Sequence, residues 1–364
     1  MRITNSMAGQ QDIYFDNSST TKPSEAVIAV MEKTLREDYG NPSSLHRKGV
    51  EAEKYISHAR EVIASVLKVN PKEILFTSGG TEANNQAILG TAAANYRRGR
   101  RILTTAMEHP AVSEPLKMLK RFGFEIDTIP VDHAGRIDPA EVEARLTPDT
   151  ILVSVMMVNN EIGAVTPVRE IAGLIRKYSP EALFHVDAIQ AFGKMRIFPK
   201  DLDIDLMSVS GHKLHGPKGV GFLYVRSKAH IVPLLYGGGQ QEGMRSGTEN
   251  VPGIAGLGEA VREAYEDFDE KQDRLYALKM RMEEGLSSLE DVVIHGLRGR
   301  EGAPHIVHAA FPGVGAEVLL HALEDRGIYV SAGSACSTHK RSASPTMTAI
   351  GAAKEEVTSS VRFS

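Results

Sequence analysis

The sequence predicts an α/β protein: a large domain on a mostly parallel sheet of the seven-stranded type flanked by helices, joined to a smaller α+β domain. Two observations carry this. From residue 25 to about residue 225, amphipathic helical patterns alternate with short apolar runs, as βαβ units require. Beyond residue 286 the apolar runs become shorter and more mixed. The chain has 364 residues, enough for two domains. The expected division is 15–258 for the large domain, with 1–14 and 259–364 forming the small one.

Taken in order, "SEAVIAVMEKTLRE" and "GVEAEKYISHAREVIASVL" read as amphipathic helices, the first starting after Pro23 with Ser24 as its N-cap. "EILFTS", "RILTTA", "ILVSVMMV", "ALFHVDA", "LMSVS" and "VGFLYV" read as strands, mostly buried on both faces. Each ends in a polar or glycine-rich turn, and ligands of open α/β sheets bind beyond such carboxyl ends. Residues 255–286 read as one long charged helical connector between lobes. "VVIHG", "HIVHAAFPG" and "AEVLLHALEDRGIYVS" supply the small domain.

Apolar residues make up 42% of the chain and charged ones 24%, with a formal net charge of −4. That balance gives no electrostatic reason to expect nucleic acid or an anionic membrane as partner; small neutral or zwitterionic ligands fit better. The longest strongly apolar run, "ILVSVMMV", is too short to span a bilayer, and "MRITNSMAGQQD" lacks an apolar core of signal-peptide length. With a single cysteine no intrachain disulfide can form, and a cytoplasmic location is expected.

Three strand ends carry chemistry. After "EILFTS" comes "GGTEANNQAILG", where Gly80 and Thr81 at a helix start suit a phosphate, though a glycine turn there is also an ordinary cap. Asp187 ends "FHVDA"; an acid there binds a ribose, a metal or a protonated ring nitrogen, or caps the next helix. Ser210, His212 and Lys213 follow "LMSVS" in a turn closed by "GPKG". A lone lysine is ordinarily a solvated side chain. His212 and His215 have metal-ligand residue types but no evident third ligand, so no metal is expected. The set decides: phosphate turn, acid and lysine, in that order, are the three contacts pyridoxal phosphate needs. The one cysteine, Cys336, lies in "SAGSACSTHKRSAS", among Gly, Ser and Ala that could not bury it, which asks for a chemical role.

"YFDNSSTTKP", "GNPSSLHRKG", "FTSGGTEANN", "MEHPAV", "VNNEIG", "HVDAIQ", "SGHKLHGPKGVG", "GGGQQEGMRSGTEN" and "SAGSACS" together resemble the cysteine desulfurases, fold-type I pyridoxal-phosphate enzymes of the class V aminotransferase group. The similarity runs from about Tyr14 to the last residue. It is nearest to the branch whose cysteine sits as Gly-Ser-Ala-Cys in a mobile loop, here about 331–344, and which supplies sulfur for iron–sulfur clusters and tRNA thiolation.

The resemblance implies conversion of L-cysteine to L-alanine with a persulfide on Cys336. It makes Lys213 the lysine that condenses with the cofactor aldehyde, Asp187 the partner of the ring nitrogen and Gln190 the partner of the ring 3′-oxygen. His109 would stack on the ring and assist proton transfer. Gly80, Thr81, Ser210 and His212 would hold the phosphate, and Thr248 would reach the phosphate of a second subunit, implying a homodimer. Asn160, beside the cofactor, and Arg362 would bind the substrate. The implied partners are L-cysteine and a sulfur-acceptor protein, such as an iron–sulfur scaffold or a tRNA-thiolation enzyme, with no membrane and no direct nucleic acid. A selenocysteine lyase or an aminotransferase would share Lys213 and Asp187 without needing Cys336; a non-catalytic assembly partner would keep only the fold.

Three departures stand out. Ser19 occupies a position where these enzymes usually have alanine. They also usually continue past "SSVRFS" with a further strand and helix, so a looser placing of Arg362 is expected. "STHKRSASP" after Cys336 is slightly longer and more basic than in many relatives; His339 within it has the spacing from Cys336 for shared metal binding or thiolate activation, with a solvated loop histidine the expected reading.

Overall fold

The computed structural model describes residues 12–332 and 344–364. Cys336 and His339 lie outside the described residues. The strands in chain order are β1 (Ile13–Tyr14), β2 (Ile74–Thr77), β3 (Arg101–Thr105), β4 (Glu125–Ile129), β5 (Thr150–Met156), β6 (Leu183–Asp187), β7 (Leu206–Ser210), β8 (Gly221–Val225), β9 (Val293–His295), β10 (Val307–Ala310), β11 (Ile328–Tyr329), β12 (Ser331–Ala332) and β13 (Ser360–Phe363). The helices are α1 (Glu25–Arg36), α2 (Arg47–Leu67), α3 (Gly80–Asn95), α4 (Pro110–Arg121), α5 (Pro139–Glu143), α6 (Val168–Tyr178), α7 (Val251–Tyr265), α8 (Phe268–Ser287), α9 (Ala316–Glu324), α10 (Pro345–Ala349) and α11 (Lys354–Ser359).

Seven strands form the large sheet in the order β2-β8-β7-β6-β5-β3-β4. Pairings from β7 through β4 are parallel, while β8 runs antiparallel to both β7 and β2. This puts the carboxyl ends of β2, β3, β5, β6 and β7 on one edge, where the motifs collect. β5 and β7 are buried at every residue and β3 and β6 at all but their first, as expected for a sheet covered on both faces. Ser24 caps α1 by accepting from the Val27 N–H, as its sequence predicts.

Two sequence expectations need correction. The long connector is two helices: α7 ends at Tyr265, Glu266 is extended and Asp267 adopts φ 47° before α8 begins. A left-handed residue cannot continue a helix. The strand β4 was not read from the sequence: at the sheet edge, Glu125 and Thr128 are exposed, so its pattern lacks a buried-strand run.

A second, antiparallel sheet has the order β12-β13-β10-β9 and packs Leu286, Val307, Val330, Val361 and Phe363 into its own core. Residues 13–24 run between the two sheets. β1 lies parallel to β11, the Ser364 N–H donates to Phe15 O at 2.9 Å and the Asn17 N–H to Ser364 O at 3.0 Å. Farther along, the Thr21 N–H and hydroxyl both donate to His212 O at 2.9 Å. This segment thus bonds to the small sheet at one end and to the turn carrying Lys213 at the other.

Candidate active site

The turn after β7 is a single 3-10 turn, Gly211–Lys213, which throws Lys213 over the sheet edge. Its Nζ donates to the backbone carbonyls of Ser18 and Ser19 at 2.5 and 2.7 Å. The same Ser18 oxygen accepts from Gln190 Nε2 at 2.9 Å. Behind the turn, Lys194 Nζ donates to the Lys213 carbonyl, and burial with the nearby Lys213 charge pulls Lys194 down to about 8.

Asp187 closes β6 with only 4% of its surface exposed. Asn84 Nδ2 on α3 donates to Oδ2 at 2.7 Å and the Ile189 N–H to Oδ1 at 3.0 Å. Burial raises its proton affinity, opposed by these two donors and by the proximity of His109 and Lys213. A protonated ring nitrogen beside this carboxylate would favour its ionised form.

His109 caps α4, its Nδ1 accepting from the Ala111 N–H at 3.1 Å. That bond leaves the neutral ring's proton on Nε2. Desolvation lowers the His109 pKa, opposed by the Asp187 charge and aided by that of Lys213.

The start of α3 has no side-chain cap, and its N-cap is Gly79 at φ 144°. Space around this turn is tight: a Cβ on Gly80 would lie 2.2 Å from Ile189 Cδ1, and one on Gly221 would lie 2.4 Å from Val209 O. A bare helix N-terminus with Ser210 beside it is suited to a phosphate. His212 Nδ1 lies 3.2 Å from Thr20 Oγ1, and burial, then Lys213, Lys218 and Lys194, brings its pKa to about 4. Lys213, Asp187 and the α3 start therefore satisfy the three requirements of pyridoxal phosphate on one edge of the sheet.

Arg362, on β13, is 6% exposed. Its Nη1 donates to Asn160 O at 2.7 Å, and its Nη2 to Ser19 Oγ at 2.7 Å and Asp16 Oδ1 at 2.8 Å. Thr248 is exposed on the loop before α7, close in sequence to Arg245, which pairs with Glu82 of α3 at 2.9 Å. A cleft of about 950 Å³ runs along α8 and reaches Lys213, Lys194 and His305, but Asp187, His109 and the α3 start do not line it.

Several residues at the site escaped the sequence reading: Asn84, Glu108, Lys194, His305, Asp16 and the carbonyls of Ser18 and Ser19. Glu108 sits in "MEHPAV" next to His109, so adjacency was the available signal. It is buried, Oε1 accepting from Thr105 Oγ1 at 2.6 Å and the Met156 N–H at 2.9 Å, and burial pushes it up to about 8.

Fold and site together define a pyridoxal-phosphate protein of the large-and-small-sheet type. The chain belongs to the aminotransferase class-V family, whose model matches residues 13–364, and the cofactor of that family is its cofactor. It is 43% identical over 353 residues to a putative cysteine desulfurase IscS 1 of Bacillus subtilis, covering 97% of this chain and 93% of that protein. A solved NifS-like protein superposes with a TM-score of 0.91 at 38% identity, over 97% of this chain and 93% of that one. A structure of SspA in complex with cysteine matches with a TM-score of 0.83 at 32% identity, over 97% of this chain and 98% of its own.

Proposed function

We propose that this chain is a cysteine desulfurase, converting L-cysteine to L-alanine, taking the sulfur as a persulfide on Cys336 and delivering it to an acceptor protein for iron–sulfur cluster assembly or tRNA thiolation. The observation that carries it is the convergence of Lys213, Gln190, Asp187 and the bare α3 start on one sheet edge, with Arg362 reaching in from the second sheet. Relatives carrying the desulfurase name over nearly the full length support it.

When bound, pyridoxal phosphate supplies an electron-withdrawing ring that accepts the charge left when the substrate loses its Cα proton. Asp187 would keep a proton on the ring nitrogen. Gly80, Thr81, Ser210 and His212 would hold the phosphate, with Thr248 of a second copy completing it in a homodimer. Gln190 would donate to the ring 3′-oxygen. Arg362 grips the substrate carboxylate, assisted by Asn160. Lys213, released from the Ser18 and Ser19 carbonyls, would be the base that takes the Cα proton, and His109 would stack on the ring with its Nε2–H available for proton transfer. The Cys336 thiolate attacks the substrate sulfur: a sulfur–sulfur bond forms, the carbon–sulfur bond breaks, and its electron pair stays with the carbon, which takes up a proton to become the alanine methyl group. We place residues 15–258 in the cofactor-binding domain and 1–14 with 259–364 in the small one. Among the described residues no helix is long and apolar enough to cross a membrane, in keeping with a cytoplasmic enzyme.

The test is alanine and sulfide formation from L-cysteine by the wild type and by Cys336→Ala. Alanine at the wild-type rate from the variant overturns the role of the thiol; a transaminase would yield keto acid instead.

A further inference from the structure

We propose that His305 is a positioning residue for the cofactor, its ring N–H locking the side-chain amide of Gln190 so that the amide N–H groups, and not its carbonyl, face Lys213. This rests on the reading of Gln190 as the partner of the ring 3′-oxygen.

The assignment follows by elimination. Gln190 lies between Ser18 O at 2.9 Å and His305 Nε2 at 3.3 Å. A backbone carbonyl only accepts, so the amide nitrogen faces Ser18 and the amide oxygen faces the imidazole. That oxygen in turn only accepts, so Nε2 of His305 carries the proton. Nδ1 is then bare, and it is buried with no hydrogen-bond partner among the described residues. A second proton there is opposed by burial and by Lys194, Arg362, Lys279 and Lys213 around the ring, which hold the imidazole neutral.

The orientation matters because Ser18 O also accepts from Lys213 Nζ at 2.5 Å. The amide nitrogen and the lysine therefore converge on one oxygen atom. In pyridoxal the 3′-oxygen is on the ring carbon next to the aldehyde. A donor that converges with the aldehyde-binding lysine is placed for that oxygen, and the amide nitrogen has a second N–H to give it. A reversed amide would present a lone pair instead. His305 precedes β10 of the small sheet, whereas Gln190 follows β6 of the large one, so the lock also registers one sheet on the other.

The experiment titrates the apo forms of wild type, His305→Leu, His305→Asn, Gln190→Ala and the double variant His305→Leu/Gln190→Ala with pyridoxal phosphate, reading the dissociation constant and the visible absorbance maximum of the bound cofactor. Loss of one neutral hydrogen bond predicts weakening of about threefold to tenfold in His305→Leu. His305→Asn, which restores a side-chain N–H, is expected within about twofold of wild type. The double variant should bind no more weakly than Gln190→Ala alone, because His305 acts through that amide. Wild-type binding and absorbance in His305→Leu, or losses that multiply in the double variant while Gln190→Ala alone weakens binding, overturn the proposal and leave the Gln190 reading standing. Wild-type binding by Gln190→Ala overturns that reading, and the proposal with it.

Discussion

The Arg362 guanidinium donates to the Asp16 carboxylate at 2.8 Å across 346 residues of chain. The Ser19 hydroxyl bridges the same pair, donating to Asp16 Oδ1 at 2.7 Å while accepting from Arg362 Nη2 at 2.7 Å. A cation buried at 6% exposure is thus held before substrate arrives. Arg362→Lys loses the planar fork and should raise KM for L-cysteine roughly 10- to 150-fold, the worth of a charge-assisted hydrogen bond. Ser19→Ala removes a neutral bridge only and should change KM by about twofold to tenfold with kcat retained. Steady-state kinetics on both variants checks this, and equal effects would contradict the separate roles.

Glu108 should make stability fall as pH rises. Its carboxyl is raised from 4.5 to about 8 by burial, so between those values the native state keeps a proton that the unfolded chain has released. The stabilisation is complete below pH 4.5 and is lost up to about pH 8, with a limiting slope of about 1.4 kcal/mol per pH unit. Glu108→Gln is neutral throughout and should lack this component. Urea unfolding at several pH values across the window, wild type against variant, measures it; parallel curves would show that Glu108 is ionised in the fold.

Asp187→Asn keeps the shape and the Asn84 neighbourhood but removes the charge expected to hold a proton on the cofactor ring. Turnover should fall by about 10²- to 10³-fold, as when one electrostatic stabiliser is removed from an active site. Alanine release under saturating L-cysteine is the measurement. A variant within a few fold of wild type would place the ring nitrogen elsewhere.

Gly221 forms the floor of the α3 turn. A Cβ there would meet Val209 O at 2.4 Å and Gly79 Cα at 2.9 Å, both backbone atoms. Gly221→Ala must therefore displace either the strand or the turn, costing about 1–3 kcal/mol of stability. Pyridoxal-phosphate affinity should drop at least as much as it does in Thr81→Ala. Thermal melting and cofactor titration of the two variants separate the outcomes.

The large sheet was legible because β2, β3 and β5 to β8 are apolar runs that end in polar or glycine-rich turns, and those turns carry the recognisable motifs. β4 escaped because an edge strand with polar side chains has no such run. The α7–α8 break hid among acidic residues that suit a helix, since only Asp267's backbone angle reveals it. At the site, Asp187 and Lys213 announced themselves by residue type and place. The Ser18 and Ser19 carbonyls had no means of doing so, being main-chain atoms common to every residue. His305 and Asp16 gain meaning only through partners 115 and 346 positions away.

The segment 13–24 has a mechanical meaning beyond the site. Because one ribbon is bonded to β11 and Ser364 on one side and to the 211–215 turn on the other, melting of either sheet frees one end of a segment that the other still holds. Heat should therefore dismantle the two sheets as one cooperative unit, with a single calorimetric transition, and cleavage within the ribbon should split that transition in two.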